Sequence, residues 1–231
     1  MFAWTSDDLQ ILRLSVSVAA LATLAALGPA VAVATLLARR RFWGHAALNA
    51  LVHLPLVLPP VVTGYVLLRA FGTRGPIGAW LAETLGIVVA FRWTGAVLAA
   101  AVMGFPLMVR AIRTSIESVD PRLEEAAATL GASPAWRLLT ITLPLAGPGI
   151  LAAALYAFTQ AWNEFLYALV FITNVKLRTL PVGLSGFITG DVYGWGYLMA
   201  GAVLTTLPVI AVYIYLQKYM VEGLTAGSVK G

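Results

Sequence analysis

The amino-acid sequence predicts an all-α integral membrane protein with about five transmembrane helices. Hydrophobic residues make up 60% of the 231 residues and charged residues only 11%, whereas soluble domains carry about 25% charged residues. Several apolar runs exceed the roughly 20 residues that cross a bilayer as a helix. A polar segment, residues 110–142, separates two of these runs. We interpret residues 1–231 as a single domain with this segment outside the membrane.

Composition excludes several other classes of protein. The formal net charge is +5, but the basic residues are scattered or stand at the ends of apolar runs, so we expect topology determinants and no nucleic-acid partner. The chain has no cysteine, which excludes disulfides and thiolate metal sites. No His or carboxylate cluster has metal-ligand spacing, and no phosphate-binding glycine motif is present. We therefore predict no metal site, no cofactor and no ATP hydrolysis in this chain.

Five apolar runs are long enough to be transmembrane spans. The second run contains three prolines, Pro55, Pro59 and Pro60, which free backbone carbonyls and predict a broken helix facing a cavity. The fourth run is long enough that a break near residues 162–164 would create a sixth span, although we prefer five. The predicted spans are 14–37, 47–71, 87–109, 143–172 and 197–216.

The polar segment contains the signals of a short first helix. Asp120 and Pro121 suit the N-cap and first helical position, and Glu124 and Glu125 in the first turn complement the helix dipole. Gly131 is then expected to end this helix. If a second helix follows the glycine, the two helices form a compact projecting elbow.

A second short helix is predicted directly after Gly131. Ser133 suits its N-cap and Pro134 its first position, while Trp136, Leu138 and Leu139 give it an apolar face. Two amphipathic helices joined at a glycine fit the groove of a partner protein. The alternative is a hairpin that merely connects two membrane helices.

The elbow resembles the EAA loop of permease subunits of bacterial ABC importers. Every fixed position of that pattern is filled, and a match at seven spaced residues is improbable by chance. The resemblance implies that this loop is the coupling helix that docks on an ATP-binding subunit. The residues assigned to coupling are Glu124, Glu125, Ala126, Ala127, Gly131, Ala132, Ile141, Leu143 and Pro144.

Two resemblances divide the chain. Residues 1–155 resemble the molybdate permease family through HLPLVLPPVVTGYVLL (53–68), FRWTGAVLAAAVMGFPLMVRAIR (91–113), DPRLEEAAATLGAS (120–133) and TITLPLAGPGIL (140–151). Residues 156–231 resemble maltose-type carbohydrate permeases through QAWNEFLYALVF (160–171), LRTLPVGLSGF (177–187) and GLTAGSVKG (223–231). Both resemblances imply the same fold, a type I ABC importer transmembrane domain.

The resemblance implies a permease subunit that forms the translocation pathway of an ATP-driven importer. Molybdate or a related oxyanion is the expected substrate, and a maltose-type sugar is the alternative. Expected partners are ATPase subunits that bind ATP and magnesium, a periplasmic or extracellular substrate-binding protein, and a second permease copy in a homodimer. The remote alternatives are a membrane enzyme, for which we find no catalytic constellation, and a chimera that transports nothing.

Candidate pathway residues lie in two of the predicted spans. Ionisable residues inside the membrane often mark a pathway, so Glu164 is a candidate together with Trp162 and Asn163; Pro59 and Pro60 are candidates in the broken span. Carboxylate, amide and aromatic groups suit a sugar, while a carboxylate would repel an oxyanion. Alternatively, Glu164 lies near the outer interface or pairs with an arginine.

Lys and Arg residues are more numerous on the side of the chain that holds the elbow. The positive-inside rule then places the elbow in the cytoplasm. With five spans, the N-terminus is outside and the C-terminus cytoplasmic, in a bacterial inner membrane. The resemblance to carbohydrate permeases implies that the polar tail, residues 223–231, reaches toward the ATPase subunit; a frayed terminus is the alternative.

Overall fold

The computed structural model describes residues 6–174, 177–189 and 192–228, which form helices and one small hairpin. In chain order the elements are α1 Ser6–Arg39, α2 His45–Val57, α3 Pro60–Phe71, α4 Pro76–Leu85, α5 Trp93–Glu117, α6 Pro121–Thr129, α7 Pro134–Arg137, a π-helical segment Leu138–Thr142, α8 Leu143–Trp162, α9 Leu166–Phe171, α10 Leu180–Ser185, β1 Ile188–Thr189, β2 Val192–Tyr193 and α11 Trp195–Ser228. The strands β1 and β2 pair antiparallel.

Four helical segments of the described residues are long and apolar enough to cross a membrane. They are α1, α5, the continuous run from α7 through α8, and α11. Helices α2 and α3 pass the same test as a pair but are bent by 112° at the break between them. Counting this pair as one broken span gives the five predicted spans, and the break falls at Pro59, inside the predicted proline run.

Three helices form the centre of the bundle through small side chains. Ala30 and Ala34 of α1 are fully buried and belong to one cluster with Val109 and Ile112 of α5. Ala153 of α8 is buried in the same cluster. Small residues let helix backbones approach closely, so that van der Waals packing can hold the helices together where the hydrophobic effect does not act. Helix α11 then packs along α8 on the outside of this centre.

Hydrogen bonds show which helix ends lie together. At one end, Nη2 of Arg39 donates to the Ile116 carbonyl at 3.1 Å, joining the C-terminal ends of α1 and α5. At the other end, the backbone N–H of Leu180 donates to Oγ of Ser15 at 2.7 Å. Because α6 and α7 follow α5 directly, we call the first the elbow end and the second the far end.

The predicted bounds of two spans were wrong. The third was expected to begin at residue 87, but residues 87–92 form a loop with Phe91 at φ 59°, and α5 begins at Trp93 and continues to Glu117. The fourth is broken after Trp162, and α9 has only six residues. Six residues extend about 9 Å, too short to cross a bilayer, so the break creates no sixth span.

The last helix is longer than expected. The sequence predicted that the fifth span ends near residue 216, whereas α11 continues to Ser228. Pro208 lies inside it without ending it. The predicted tail, residues 223–231, therefore begins within a helix, and its last three residues lie outside the described part of the chain.

Candidate functional site

The first half of the elbow folds as its local signals predicted. Oδ1 of Asp120 accepts a hydrogen bond from the Arg122 N–H at 3.0 Å, which caps α6. Gly131 has φ 87°, the left-handed conformation in which glycine carries no steric cost. The N–H of Ala132 then bonds the Ala127 carbonyl at 3.0 Å and closes the helix end.

The second half differs from the prediction. Oγ of Ser133 caps α7 by accepting from the Trp136 N–H at 3.2 Å, as expected. However, α7 runs on through the π-helical segment into α8, so the second elbow helix is the beginning of the fourth span. No glycine stands between Ser133 and Leu143 to end it, and Pro144, which lacks an N–H donor, follows directly on a wide π turn.

The surface of the elbow carries large exposed apolar side chains. Leu130, beside Gly131, is 89% exposed, and Leu139, Trp136 and Leu123 are also exposed. Glu125 and Ala126 share this exposure. An apolar patch on an otherwise polar segment marks an interaction surface. Ile141, Leu143 and Pro144 lie instead at the junction with the fourth span.

The two adjacent glutamates of the elbow play different structural parts. Glu125 is exposed, whereas Glu124 points toward the bundle. Oε1 of Glu124 lies 2.9 Å from Nη2 of Arg39 and accepts from Oγ1 of Thr142 at 2.6 Å. Thr142 is buried at the start of the fourth span. Glu124 therefore fastens the elbow to the first and fourth spans.

Arg39 is a site residue that the sequence analysis missed. The same guanidinium contacts the Glu124 carboxylate and the carbonyl of Ile116, so it joins α1, α5 and the elbow. Its side chain is only 21% exposed. The run Arg39–Arg41 suggested only a topology signal, because the partner carboxylate is distant in sequence. An acidic residue preceding the EAA pattern was the only available hint.

The proposed pathway residues after α8 occupy different environments. Trp162 is 2% exposed, and its Nε1 donates to the Thr205 carbonyl at 3.0 Å, so it packs inside the subunit. Asn163 is exposed. Oε1 of Glu164 accepts from the Tyr167 N–H at 2.7 Å and holds the start of α9. Within residues 6–174, 177–189 and 192–228, no group of three His, Asp or Glu could hold a metal.

The two broken spans meet at a tyrosine. The hydroxyl of Tyr167 donates to the Pro60 carbonyl at 3.0 Å, and the Tyr167 ring lies against Gly64 of α3. A proline frees the carbonyl four residues before it, so this bond is an additional contact of the break and not the partner of a carbonyl that the prolines free. Pro59 and Pro60 are themselves exposed in the subunit.

Comparison with known proteins identifies a transport family and molybdenum permeases as relatives of this chain. A family model, "Binding-protein-dependent transport system inner membrane component", matches residues 30–225. The chain is 43% identical to the molybdenum transport system permease protein ModB of Haemophilus influenzae, over 96% of this chain and 99% of that protein. It is 51% identical to ModB of Escherichia coli over 80% of this chain and 81% of that protein.

Sugar permeases and solved transporters also match. The trehalose/maltose transport system permease protein MalG of Thermococcus litoralis is 41% identical over 54% of this chain and 46% of that protein. A structure of the MetNI methionine ABC transporter matches with TM-score 0.72 and 14% identity over 93% of this chain and 95% of that chain. A bacterial ABC transporter that imports alginate matches with TM-score 0.76 and 12% identity over 95% and 80%. The predicted fold and both predicted resemblances are confirmed.

Proposed function

The chain belongs to the family of binding-protein-dependent transport system inner membrane components, and we propose that it is the permease subunit of an ATP-driven importer of molybdate or a related oxyanion. One observation carries the substrate assignment. Identity to a molybdenum permease extends over 96% of the chain at 43%. It therefore includes most of residues 156–231, where the sequence also resembles sugar permeases.

In this proposal, the ATPase subunit acts on the permease through the elbow. Its apolar side chains, Leu130 above all, are exposed, and its inner face is fastened to the bundle through Glu124 and Arg39. A separate ATPase subunit would seat on Leu130 and Trp136, as a helix seats in a groove. Movement of that subunit would then pass through the ion pair to the first, third and fourth spans.

The remaining partners and the orientation follow from the same proposal. An ATPase works in the cytoplasm, so the elbow end faces the cytoplasm and the far end faces outward. With five spans the N-terminus is outside and the C-terminus is cytoplasmic. The ATPase subunits bind ATP and magnesium, an external binding protein delivers substrate at the far end, and a second copy of this chain completes the pore around a two-fold axis.

A sugar is the second candidate substrate. The similarity to the trehalose/maltose permease, 41% over 128 residues, favours it. Against it, the Glu164 carboxylate already has a structural role, because Oε1 accepts from the Tyr167 N–H and holds the start of α9. The sugar alternative therefore rests on the sequence similarity rather than on Glu164.

Uptake into proteoliposomes tests the substrate. The chain is reconstituted with an ATPase subunit, and labelled molybdate with its binding protein is compared with a labelled maltose-type sugar with its own. We expect ATP-dependent molybdate uptake and no sugar uptake. Sugar uptake without molybdate uptake would contradict the oxyanion assignment and leave the permease assignment intact.

Docking on the ATPase subunit is tested separately. Leu130→Asp places a charge in the proposed contact and should weaken ATPase binding at least about tenfold, which corresponds to roughly 1.4 kcal/mol. Trp43→Asp is the matched control, because Trp43 is 101% exposed and lies outside the elbow. Co-purification and binding titrations in detergent measure both variants. Equal loss in the two variants would contradict docking at the elbow.

A further inference from the structure

Polar side chains follow one exposed line of the fourth span. Tyr156 and Gln160 of α8 and its C-cap residue Asn163 stand at spacings of four and three residues, which places them on one helical face, and all three are exposed in the subunit. Gly149 and Ala152 continue this line toward the elbow end. Nε2 of Gln160 donates to the Tyr156 hydroxyl at 2.7 Å and Nδ2 of Asn163 donates to the Thr159 carbonyl at 2.8 Å, but the remaining hydrogens and the amide oxygens would lack partners in lipid. We therefore expect water, a ligand or another polar surface along this face.

The line borders a groove between the third and fourth spans. The groove has a volume of about 630 Å³ and is lined by Arg110, Thr114 and Ser118 of α5 and by Gly149, Ala152 and Tyr156 of α8. Arg110 is exposed, and no residue in the described part of the chain forms an ion pair with its guanidinium. An unpaired arginine in a groove beside a transmembrane helix attracts an anion.

The hydrogen bonds of the groove show which donors are free. Oγ1 of Thr114 donates to the Arg110 carbonyl at 3.1 Å, and Oγ of Ser118 donates to the Ser115 carbonyl at 2.7 Å. Each of these hydroxyls has thereby used its only hydrogen. The Tyr156 hydroxyl instead accepts from Nε2 of Gln160 at 2.7 Å, which leaves its own hydrogen free to donate. Tyr156 and Arg110 are thus the free donors of the groove.

The charge of the groove depends on the residues that line it. Glu164 lies outside the groove, beyond the end of α8, where its Oε1 accepts a hydrogen bond from the Tyr167 N–H at 2.7 Å. The described lining of the groove contains no Asp or Glu. A tetrahedral oxyanion only accepts hydrogen bonds, so a face with an unpaired guanidinium and a free hydroxyl donor suits it better than it suits a sugar.

We propose that Arg110, Tyr156, Gln160 and Asn163 form a passage face along which an oxyanion moves toward the elbow end. This inference rests on the proposed importer function and extends it to residues within the pathway. The sequence analysis included only Asn163. Arg110 had been read as a topology determinant, and the pairing of Tyr156 with Gln160 becomes visible only when the exposed face of α8 is known.

Cysteine labelling tests the passage face without knowledge of the transported ligand. The chain contains no cysteine, so Tyr156→Cys gives it a single reactive site, which is labelled in membrane vesicles in the complex with a cysteine-free ATPase subunit. Anionic and cationic methanethiosulfonates of similar size should both label it from water. Leu24→Cys is the control, because Leu24 is exposed on the apolar first span and should resist both reagents.

The charge of Arg110 is tested by its effect on the two labelling rates. Adding Arg110→Gln should lower the anionic-to-cationic rate ratio about fivefold, as expected when one charge is removed near the site in partly screened water. Arg113→Gln is the matched control, since Arg113 lies on the same helix but pairs with Glu117. Failure to label Tyr156→Cys, or an equal effect of both arginine variants, would overturn the proposal.

A transport measurement separates passage from coupling. With molybdate as the probe, Arg110→Gln should lower uptake about tenfold, or roughly 1.4 kcal/mol in the barrier, while stimulation of ATP hydrolysis by the binding protein persists. Arg110→Lys should retain more uptake because the charge remains. If the unaltered complex moves no molybdate but labelling remains anion-selective, the substrate assignment fails and the passage face stands. Normal uptake by Arg110→Gln would overturn the passage face.

Discussion

The elbow and the break after the fourth span are both interruptions between helices, but they are stabilised in different ways. The elbow turns at Gly131, whose φ of 87° needs no contact from elsewhere. The break near Asn163 contains neither glycine nor proline; there the Tyr167 N–H donates to Glu164, three residues earlier, and the Tyr167 hydroxyl donates to the Pro60 carbonyl of another span. The elbow turn is therefore encoded locally, whereas the break combines a local cap with a tertiary contact.

This difference explains how much the sequence could predict. The helix caps of the elbow at Asp120 and Ser133 were predicted because a capping oxygen and the backbone N–H that donates to it are neighbours in the chain. The break at Asn163 could be stated only as an alternative, because its partner Pro60 lies 107 residues away from Tyr167. Apolar content also misplaced the start of α5, since residues 87–91 are apolar but lie in a loop.

The residues of the candidate site also differ in whether local sequence or distant contacts position them. The EAA pattern located the elbow and its exposed docking residues, because the spacing of Glu125 and Gly131 is local. It did not show that Glu124 bonds inward or that Arg39 receives it, since that contact joins elements far apart in the chain. Arg110 and Tyr156 were missed for the same reason, as they meet only across the packed third and fourth spans.

The largest effect is expected from replacing the glycine at which the elbow turns. Gly131→Val forces a β-branched residue into the left-handed region, which costs roughly 1–2 kcal/mol even for an unbranched side chain. We expect transport to fall at least about tenfold while ATP hydrolysis continues and the spans stay folded. Gly147→Val is the control, because Gly147 has no positive φ and open space around its Cα. Normal transport by Gly131→Val would contradict the coupling assignment.

A smaller effect is expected from cutting the tertiary link of the elbow. Glu124→Gln removes the charge that Arg39 and Thr142 contact and leaves the partly buried guanidinium without its counter-ion. We expect a loss of about 2 kcal/mol in the free energy of unfolding, between the values for exposed and buried pairs. Denaturant titration of the detergent-solubilised complex measures it.

The second ion pair of the described residues supplies the control for that loss. Arg113 and Glu117 lie 2.7 Å apart but are more exposed and only one helical turn apart. Glu117→Gln should cost no more than about 0.5 kcal/mol, the usual value for an exposed pair within one helix. If the two glutamate variants lost equal stability, Glu124 would be an ordinary surface pair and the elbow would be fastened by its helix caps alone.

The smallest effect is expected where the two broken spans meet. Tyr167→Phe keeps the buried ring against Gly64 and removes only the bond to the Pro60 carbonyl, so the loss in unfolding free energy should be about 1 kcal/mol. Because the bond to Pro60 is the tertiary contact that holds the break at Asn163, this change should also increase cysteine labelling of Asn163→Cys, which Gly131→Val should leave unchanged. Tyr65→Phe is the control, since it removes a hydroxyl from an exposed tyrosine of the same helix as Pro60. An unchanged labelling rate in Tyr167→Phe would mean that Glu164 holds the break alone. Both interruptions would then be stabilised locally and would differ only in the residues that cap them.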